Sequence, residues 1–304
     1  MTRRSRTAAS WFNLGARAFA KAFPTILPEH DDTFYVCPLC MYAFTRQAIA
    51  AGSVTLEDVP PKSVGGKPLV LTCRRCNSRS GHELDAHVRR AEDLVAGITG
   101  TLGRPQRVRI VMGDVKLNAL LETSADPRRR MLITGLPNNN APKVRQAFED
   151  HLERATGPGR RWDGLTVEFY GEAYSPSRAD IGWLRAAFLL AFALFGYRYA
   201  LNPALASVRR QIATPTEKVI ERFKIALPPP FPSRRAFIRI QEPEWLDALA
   251  VQFGRHVVFL PHTNDKDFYE RLDRGARDCG SETVHFQGTE MPWPTGPAHR
   301  LDLR

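Results

Sequence analysis

Two Cys-x-x-Cys pairs constrain this sequence more than any other feature. Cys37 and Cys40 form the first pair, Cys73 and Cys76 form the second, and together they hold four of the five cysteines. Each pair brings two thiolates to one turn of the chain, and two pairs complete a tetrahedral sulfur site for zinc. The spacing therefore predicts a structural zinc centre that folds a small module around itself.

The cysteine count also bears on the cellular compartment. Five cysteines in 304 residues, four of them at metal spacing, argue against a disulfide framework and fit a reducing environment. We therefore expect a cytoplasmic protein. The fifth cysteine, Cys279, receives no predicted role.

Strand-like and helical patterns are mixed along the chain, which predicts an α+β fold. Short apolar runs at residues 33–36 and 69–72 lead into the two cysteine pairs, and helical spacing follows the second pair. A loop, two strands and a helix around one metal is the plan of a treble-clef finger. We expect such a zinc module at the N-terminal end, followed by a larger mixed α+β body.

Composition suggests four segments. These are a basic N-terminal arm at residues 1–32, the zinc module at 33–100, an α+β body with a long apolar helix at 105–227, and a C-terminal α+β segment at 228–304. The prolines at 228, 229, 230 and 232 make the last boundary a candidate linker.

The strongest apolar run spans residues 181–201. Arg185 and Arg198 interrupt it, and the uncharged stretch between them is too short to cross a bilayer. The run predicts a buried core helix, and no membrane partner is expected.

The first 28 residues contain no acid and five cations. Aromatic residues such as Trp11, Phe12 and Phe19 are interleaved with them. Three interpretations fit this pattern: a transit peptide, a basic helical arm lying along DNA, and a partly ordered N-terminal extension.

The whole chain is basic as well. It has 43 Lys and Arg residues against 32 Asp and Glu residues, and its pI is about 9.8. Such an excess attracts phosphate polymers through long-range electrostatics, although an arginine-rich composition alone gives the same excess. Together with the zinc module it favours a nucleic acid partner, most simply DNA.

The segment LEDVPPKSVGG at residues 56–66, followed by LTCRRCN at 71–77, resembles the HNH endonuclease family. The resemblance covers about residues 35–95, under a third of the chain. It implies a ββα-metal fold in which the four cysteines hold zinc. A separate catalytic ion, Mg2+ or Mn2+, would lie beside the zinc.

The resemblance also implies roles for individual residues. Glu57 and Asn77 match ligands of the catalytic ion, and Asp58 stands where the family has its general-base histidine. The middle Asn of the family motif falls near Pro68, which has no side chain to orient a base. Asp58 would then bind the ion or accept the proton, and His82 is a further candidate base, as is His87 in the same helix.

Each of these residues also has an ordinary structural interpretation. Glu57 and Asp58 fit solvated loop charges, and Asn77 fits a helix cap. His82 and His87 fit surface or packing positions.

Cations cluster around the predicted zinc module, where they suit contact with phosphates without sequence readout. A solvated helix face is the alternative. The candidate nucleic-acid residues are Lys62, Lys67, Arg74, Arg75 and Arg79, with Arg89 and Arg90 farther along the helix.

These features lead to one main expectation and two rivals. We expect an HNH-type, metal-dependent endonuclease that hydrolyses DNA phosphodiester bonds. The first rival is a catalytically inactive, zinc-dependent nucleic-acid-binding protein, and the second is a zinc-stapled scaffold that binds protein. The sequence predicts no oligomeric state.

Overall fold

The computed structural model describes residues 3–25, 34–99, 105–123, 131–155, 164–170, 174–227, 234–278 and 285–299. Helices and strands are both present, and every strand pairing in these ranges is antiparallel, so the predicted α+β class is confirmed. The predicted proline linker and Cys279 lie outside the described residues. The chain divides into two compact units, one made of Met1–Val88 with Ser175–Arg304 and the other of Arg89–Tyr174.

The N-terminal part of the first unit combines helices with two small strand pairs. Its elements are α1 (Arg3–Ala22), β1 (Tyr35–Val36), β2 (Ala43–Phe44), α2 (Gln47–Ala50), β3 (Val54–Val59), β4 (Lys67–Cys73), α3 (Arg74–Ser80) and the start of α4 (Ala86–Ile98). β1 pairs with β2, and β3 pairs with β4. A π-helical stretch, Gly81–Asp85, joins α3 to α4.

The second unit is a four-stranded sheet with one helix on it. Its elements after α4 are β5 (Gln106–Met112), β6 (Val115–Thr123), β7 (Met131–Gly135), α5 (Pro142–Ala155) and β8 (Leu165–Phe169). The strand order is β7-β6-β5-β8. Alternate residues such as Val108 and Ile110 are fully buried and form a core with Val144 and Phe148 of α5.

The rest of the first unit surrounds one long helix. Its elements are α6 (Pro176–Phe195), α7 (Tyr197–Ala200), α8 (Ala206–Ala213), β9 (Lys224–Ala226), β10 (Arg235–Glu242), β11 (Ala248–Phe253), β12 (His256–Pro261), α9 (Phe268–Asp278) and β13 (Gln287–Met291). The five strands form a sheet in the order β13-β10-β11-β12-β9.

α6 is the centre of the first unit, and sixteen of its twenty residues are buried. The hydroxyl of Ser175 caps its start by accepting a hydrogen bond from the backbone N–H of Arg178, and Pro176 occupies the first turn. Gly196 ends the helix at a φ of 76°, which glycine adopts without strain. Because α6 is apolar on all sides, it packs against β3, β4, α8 and β12 at once.

α6 is the buried helix that the apolar run predicts. None of the helices in the described ranges is long and apolar enough to span a membrane.

α1 is an ordered helix that buries its apolar face. Phe12 is fully buried and its ring centroid lies 5.7 Å from that of Tyr35. Farther along, Phe19 meets the ring of Tyr197 edge-on at 5.0 Å. The residues of the predicted N-terminal arm that the structure describes are therefore part of the first unit's core.

Candidate metal centre

The first cysteine pair lies on a tight turn between β1 and β2. The backbone N–H of Met41 donates to the carbonyl oxygen of Cys37 at 2.9 Å, and the N–H of Cys37 donates to the carbonyl oxygen of Tyr42 at 3.0 Å. These bonds close the turn, and Met41 adopts a positive φ of 62° to complete it. The Sγ atoms of Cys37 and Cys40 are thereby held on one side of the chain.

The second pair joins a strand to a helix. Cys73 ends β4 and is the N-cap of α3, where its Sγ accepts a hydrogen bond from the backbone N–H of Cys76 at 3.4 Å. The N–H of Cys73 in turn donates to the Sγ of Cys37 at 3.4 Å. Both pairs are therefore tied together by backbone donors that favour thiolate sulfur.

The four Sγ atoms form one compact cluster. All of them lie within 4.8 Å of one another, and the Sγ atoms of Cys40 and Cys73 are 3.7 Å apart. Zinc–sulfur bonds of about 2.3 Å in a tetrahedron separate neighbouring sulfurs by about 3.8 Å, so the cluster fits such an ion. None of the four cysteines forms a disulfide. The arrangement can hold a metal ion, as the spacing predicts.

The thiols of the cluster are hydrogen-bonded to one another, and these bonds shift their pKa values. Hydrogen bonding from the Cys37 thiol is the largest cause that lowers the pKa of both Cys40 and Cys73. Two sulfurs are thus prepared to bind a cation as thiolates, and metal binding would displace the protons held by the other two.

Glu57 lies in β3 and is buried, with 3% of its surface exposed. Its Oε1 is 2.6 Å from Nη2 of Arg185, and its Oε2 accepts a hydrogen bond from the hydroxyl of Thr72 at 2.7 Å. Arg185 belongs to α6 and is only 1% exposed. Both carboxylate oxygens of Glu57 are therefore engaged inside the protein.

Asp85 belongs to the same buried charge cluster. Its Oδ1 is 3.5 Å from Nη1 of Arg185, and its side chain is 20% exposed. Burial raises the pKa of Asp85 to about 6; the positive charge of Arg185 opposes this, and the negative charges of Glu57 and Asp58 add to it. One arginine thus faces two carboxyl groups.

Asp58 occupies a different environment from its neighbour. Consecutive strand residues point to opposite faces, and the β3–β4 register also shifts between Glu57 and Asp58, which leaves Asp58 opposite Pro68. Burial raises the pKa of the partly exposed Asp58, whereas the positive charges of Arg4 and Lys62 lower it. Asp58 is thus the more accessible of the two adjacent acids.

Asn77 connects α3 to the hairpin. Its Nδ2 donates to the hydroxyl of Thr55 at 3.0 Å and to the carbonyl oxygen of Leu56 at 3.4 Å. The N-cap of α3 is Cys73, so Asn77 is not the helix cap that the sequence allowed. Among the described residues no donor reaches its Oδ1, which leaves this oxygen able to bind a ligand.

The two candidate histidines are not equivalent. His82 is exposed on the π-helical stretch. His87 accepts a hydrogen bond at Nδ1 from the backbone N–H of Ser175, 3.0 Å away, and so helps to fix the start of α6. Of the two, His82 is the more exposed and His87 is half-buried.

All five predicted nucleic-acid residues have exposed side chains: Lys62, Lys67, Arg74, Arg75 and Arg79. The Nε of Arg79 is 2.9 Å from Glu83, and its Nη2 donates to the carbonyl oxygen of Ala213 at 2.6 Å. A small cavity of about 130 Å³ lies beside Cys40 and Cys76, next to this arginine. Within the described part of the chain, the other four cations have no acid at salt-bridge distance.

Sequence reasoning missed Arg185, Thr72 and Asp85. A signal for the first was present, because a single arginine inside an apolar helix must find a buried acid. Nothing in the sequence identifies Glu57 as that acid, because the contact depends on how α6 packs against β3.

Three of the four histidines near the C-terminal end have a structural partner of their own. His256 stacks on Trp183 at 4.7 Å, Nδ1 of His262 is 3.1 Å from Asp247, and His299 lies 4.9 Å from the ring of Phe192.

The cysteine cluster remains the one group of three or more His, Cys, Asp or Glu residues in the described ranges whose ligand atoms converge closely enough for a metal. Comparison with known proteins finds no matching family model, no matching curated protein and no matching solved structure.

Proposed function

We propose that residues 33–100 form an HNH-like treble-clef module that binds zinc, and that the chain is an HNH-type endonuclease acting on DNA. One observation carries the proposal. The β3–β4 hairpin leads directly through Cys73 into α3, and Asn77 of α3 is bonded back to β3, the strand that carries Asp58. This is the order of elements expected for a ββα-metal site beside a cysteine-bound zinc.

The two metals would have different roles. Four cysteine ligands saturate zinc, which leaves no position for substrate, so its role is to hold the fold. A second ion, Mg2+ or Mn2+, prefers oxygen ligands and would neutralise charge on the phosphate and activate water. Asp58 and the Oδ1 of Asn77 are suited to hold it, whereas Glu57 is already paired with Arg185 and Thr72.

The residues of the chain would supply proton transfer and phosphate binding. Asp58 would bind the ion or, alternatively, accept the proton of the attacking water, and in the second role the burial that raises its pKa makes it a better base than an ordinary aspartate. Lys62, Arg74 and Arg75 would bind the flanking phosphates, because they are exposed and unpaired by acids in the described part of the chain.

A non-catalytic nucleic-acid-binding protein is the second candidate. The Glu57–Arg185 pair favours it, because a carboxylate neutralised inside the protein has lost its availability to an ion in solution. In that case zinc would fold the module, and the exposed cations would bind nucleic acid without hydrolysis.

The testing experiment is plasmid nicking by the zinc-loaded protein with Mg2+ or Mn2+. We expect nicking by the wild type, loss in Asp58→Ala and Asn77→Ala, and no change in Glu270→Ala, which removes an exposed acid from α9. Asp58→His restores the residue type of the family's general base and should raise the rate at least tenfold.

Two results would decide against hydrolysis. If both the wild type and Asp58→His bind DNA but neither nicks the plasmid, the protein is a non-catalytic nucleic-acid-binding protein and the endonuclease proposal is rejected. If nicking persists in both alanine variants, the hydrolytic site lies elsewhere.

A further inference from the structure

α1 packs against the hairpin that carries Asp58. Ala8, Phe12 and Ala16 form one buried cluster with Tyr35, Val54, Leu56 and Leu71, so the first half of α1 lies on β3 and β4. Phe12 and Tyr35 anchor the contact. This packing fixes the position of the basic N-terminal end of α1 relative to the β3–β4 hairpin.

Arg4 lies one helical turn before Ala8 and therefore on the same face of α1. That face shares a buried cluster with Leu56 of β3, and β3 continues from there to Asp58. Lys62 follows β3 in the 3-10 turn Lys62–Val64. Arg4 and Lys62 thus both lie within electrostatic reach of the Asp58 carboxylate.

The beginning of α1 is rich in positive charge, and the helix itself contains no acid. Arg3, Arg4 and Arg6 have exposed side chains, and α1 contains no Asp or Glu. Among the described residues no acid comes within salt-bridge distance of these three arginines or of Lys62. Arg79 and Arg210 of the first unit, by contrast, are paired with glutamates, whereas within the described ranges Arg74 and Arg75 share the unpaired state of the α1 arginines.

We propose that Arg3, Arg4, Arg6 and Lys62 form a phosphate-binding ridge, the α1 ridge, that holds the backbone of duplex DNA as it approaches Asp58. This inference rests on the proposed function, whose substrate contact it extends beyond the zinc module. The three arginines occur within about one helical turn of 5.4 Å, with Arg3 and Arg6 three residues apart on one side of α1 and Arg4 on the side that faces the hairpin. Arg3 and Arg6 can therefore bind one stretch of the DNA backbone, and Arg4 and Lys62 can bind the stretch nearer Asp58. Such contacts give affinity and register without sequence readout.

The ridge predicts a measurable salt dependence. Each phosphate contact contributes about 0.9 to the slope of log affinity against log salt concentration. Loss of the three arginines should therefore lower the slope by about 2–3 and weaken binding at least tenfold at about 0.1 M salt.

The test uses the full-length, zinc-loaded protein and a fluorescent 20-base-pair duplex of about two helical turns, titrated by anisotropy at several KCl concentrations without Mg2+. The variant is Arg3→Gln/Arg4→Gln/Arg6→Gln. The matched control is Arg17→Gln/Lys21→Gln, which removes two exposed cations from the other end of the same helix. Circular dichroism verifies that both variants keep their helix content.

We expect the ridge variant to lose affinity and slope and the control to keep both. If the ridge variant binds like the wild type, or if the control weakens binding as much per charge removed, the ridge is refuted and the proposed function is unaffected. If the ridge variant loses affinity and slope but the wild type does not nick plasmid with Mg2+ or Mn2+, the ridge stands and hydrolysis fails. If the wild type shows no salt-dependent binding, both proposals fall.

Discussion

Replacing Arg185 with methionine should destabilise the first unit severely. The substitution keeps an unbranched, apolar stem but leaves the carboxylate of Glu57 without its cation, at 3% exposure and with the Thr72 hydroxyl as its remaining partner. Breaking a buried ion pair by removing one member costs about 3–5 kcal/mol. Asp85 would lose its nearby positive charge as well, which pushes the cost toward the upper end.

The magnitude can be measured by urea unfolding of the zinc-loaded protein at constant pH. The double variant Arg185→Met/Glu57→Gln removes both charges and should recover at least half of the loss, because the buried charge itself is the cause. Arg198→Met, which removes an exposed arginine from α7, serves as the control and should change stability by less than about 0.5 kcal/mol. A loss below about 1 kcal/mol in Arg185→Met, or a double variant no more stable than the single one, would refute the reasoning.

Three further predictions follow from the same structure. Burial raises the folded-state pKa of Asp85 to about 6 from 3.8, so the folded protein binds this proton more tightly than the unfolded chain, and the contribution of Asp85 to stability falls by about 3 kcal/mol as pH rises from 4 to above 6. Urea unfolding of Asp85→Asn should lack this decrease, and a variant with the same pH dependence as the wild type would contradict the prediction. Elemental analysis should find one zinc per chain in the wild type and in Cys279→Ser but none in Cys37→Ser, and zinc retained at full occupancy in Cys37→Ser would rule out the four-cysteine site. A Cβ added at Gly182 would lie 2.4 Å from Cγ2 of Val88, so Gly182→Ala should lower the free energy of unfolding by about 1–3 kcal/mol, and adding Val88→Ala should restore part of that loss. A Gly182→Ala protein that unfolds at or above the wild-type midpoint temperature would show that α6 shifts to avoid the clash.

Local spacing and periodicity were enough to predict part of this molecule. The cysteine cluster follows from two short turns whose geometry is fixed by neighbouring residues, and the burial of α6 follows from its composition. The environments of Glu57 and Asp58 could not be predicted in the same way. They depend on a register shift within the hairpin and on an arginine from a distant helix, and neither leaves a local pattern. The packing of α1 could not be predicted either, because its apolar residues are compatible with several partners and nothing in the sequence identifies Tyr35 as the one they contact.

The hydrogen bond between His87 and Ser175 has a topological consequence. The chain leaves the first unit after Val88 and re-enters it at Ser175, so residues 89–174 interrupt this unit in the sequence. The two parts of the first unit meet at that hydrogen bond. The points of departure and return are therefore neighbours in space, and few linker residues would bridge them. Insertions with adjacent ends can be gained or lost without rearranging the host fold. The cysteine cluster, the buried charge cluster and α6 thus belong to one unit that a shorter, continuous chain without residues 89–174 would still contain.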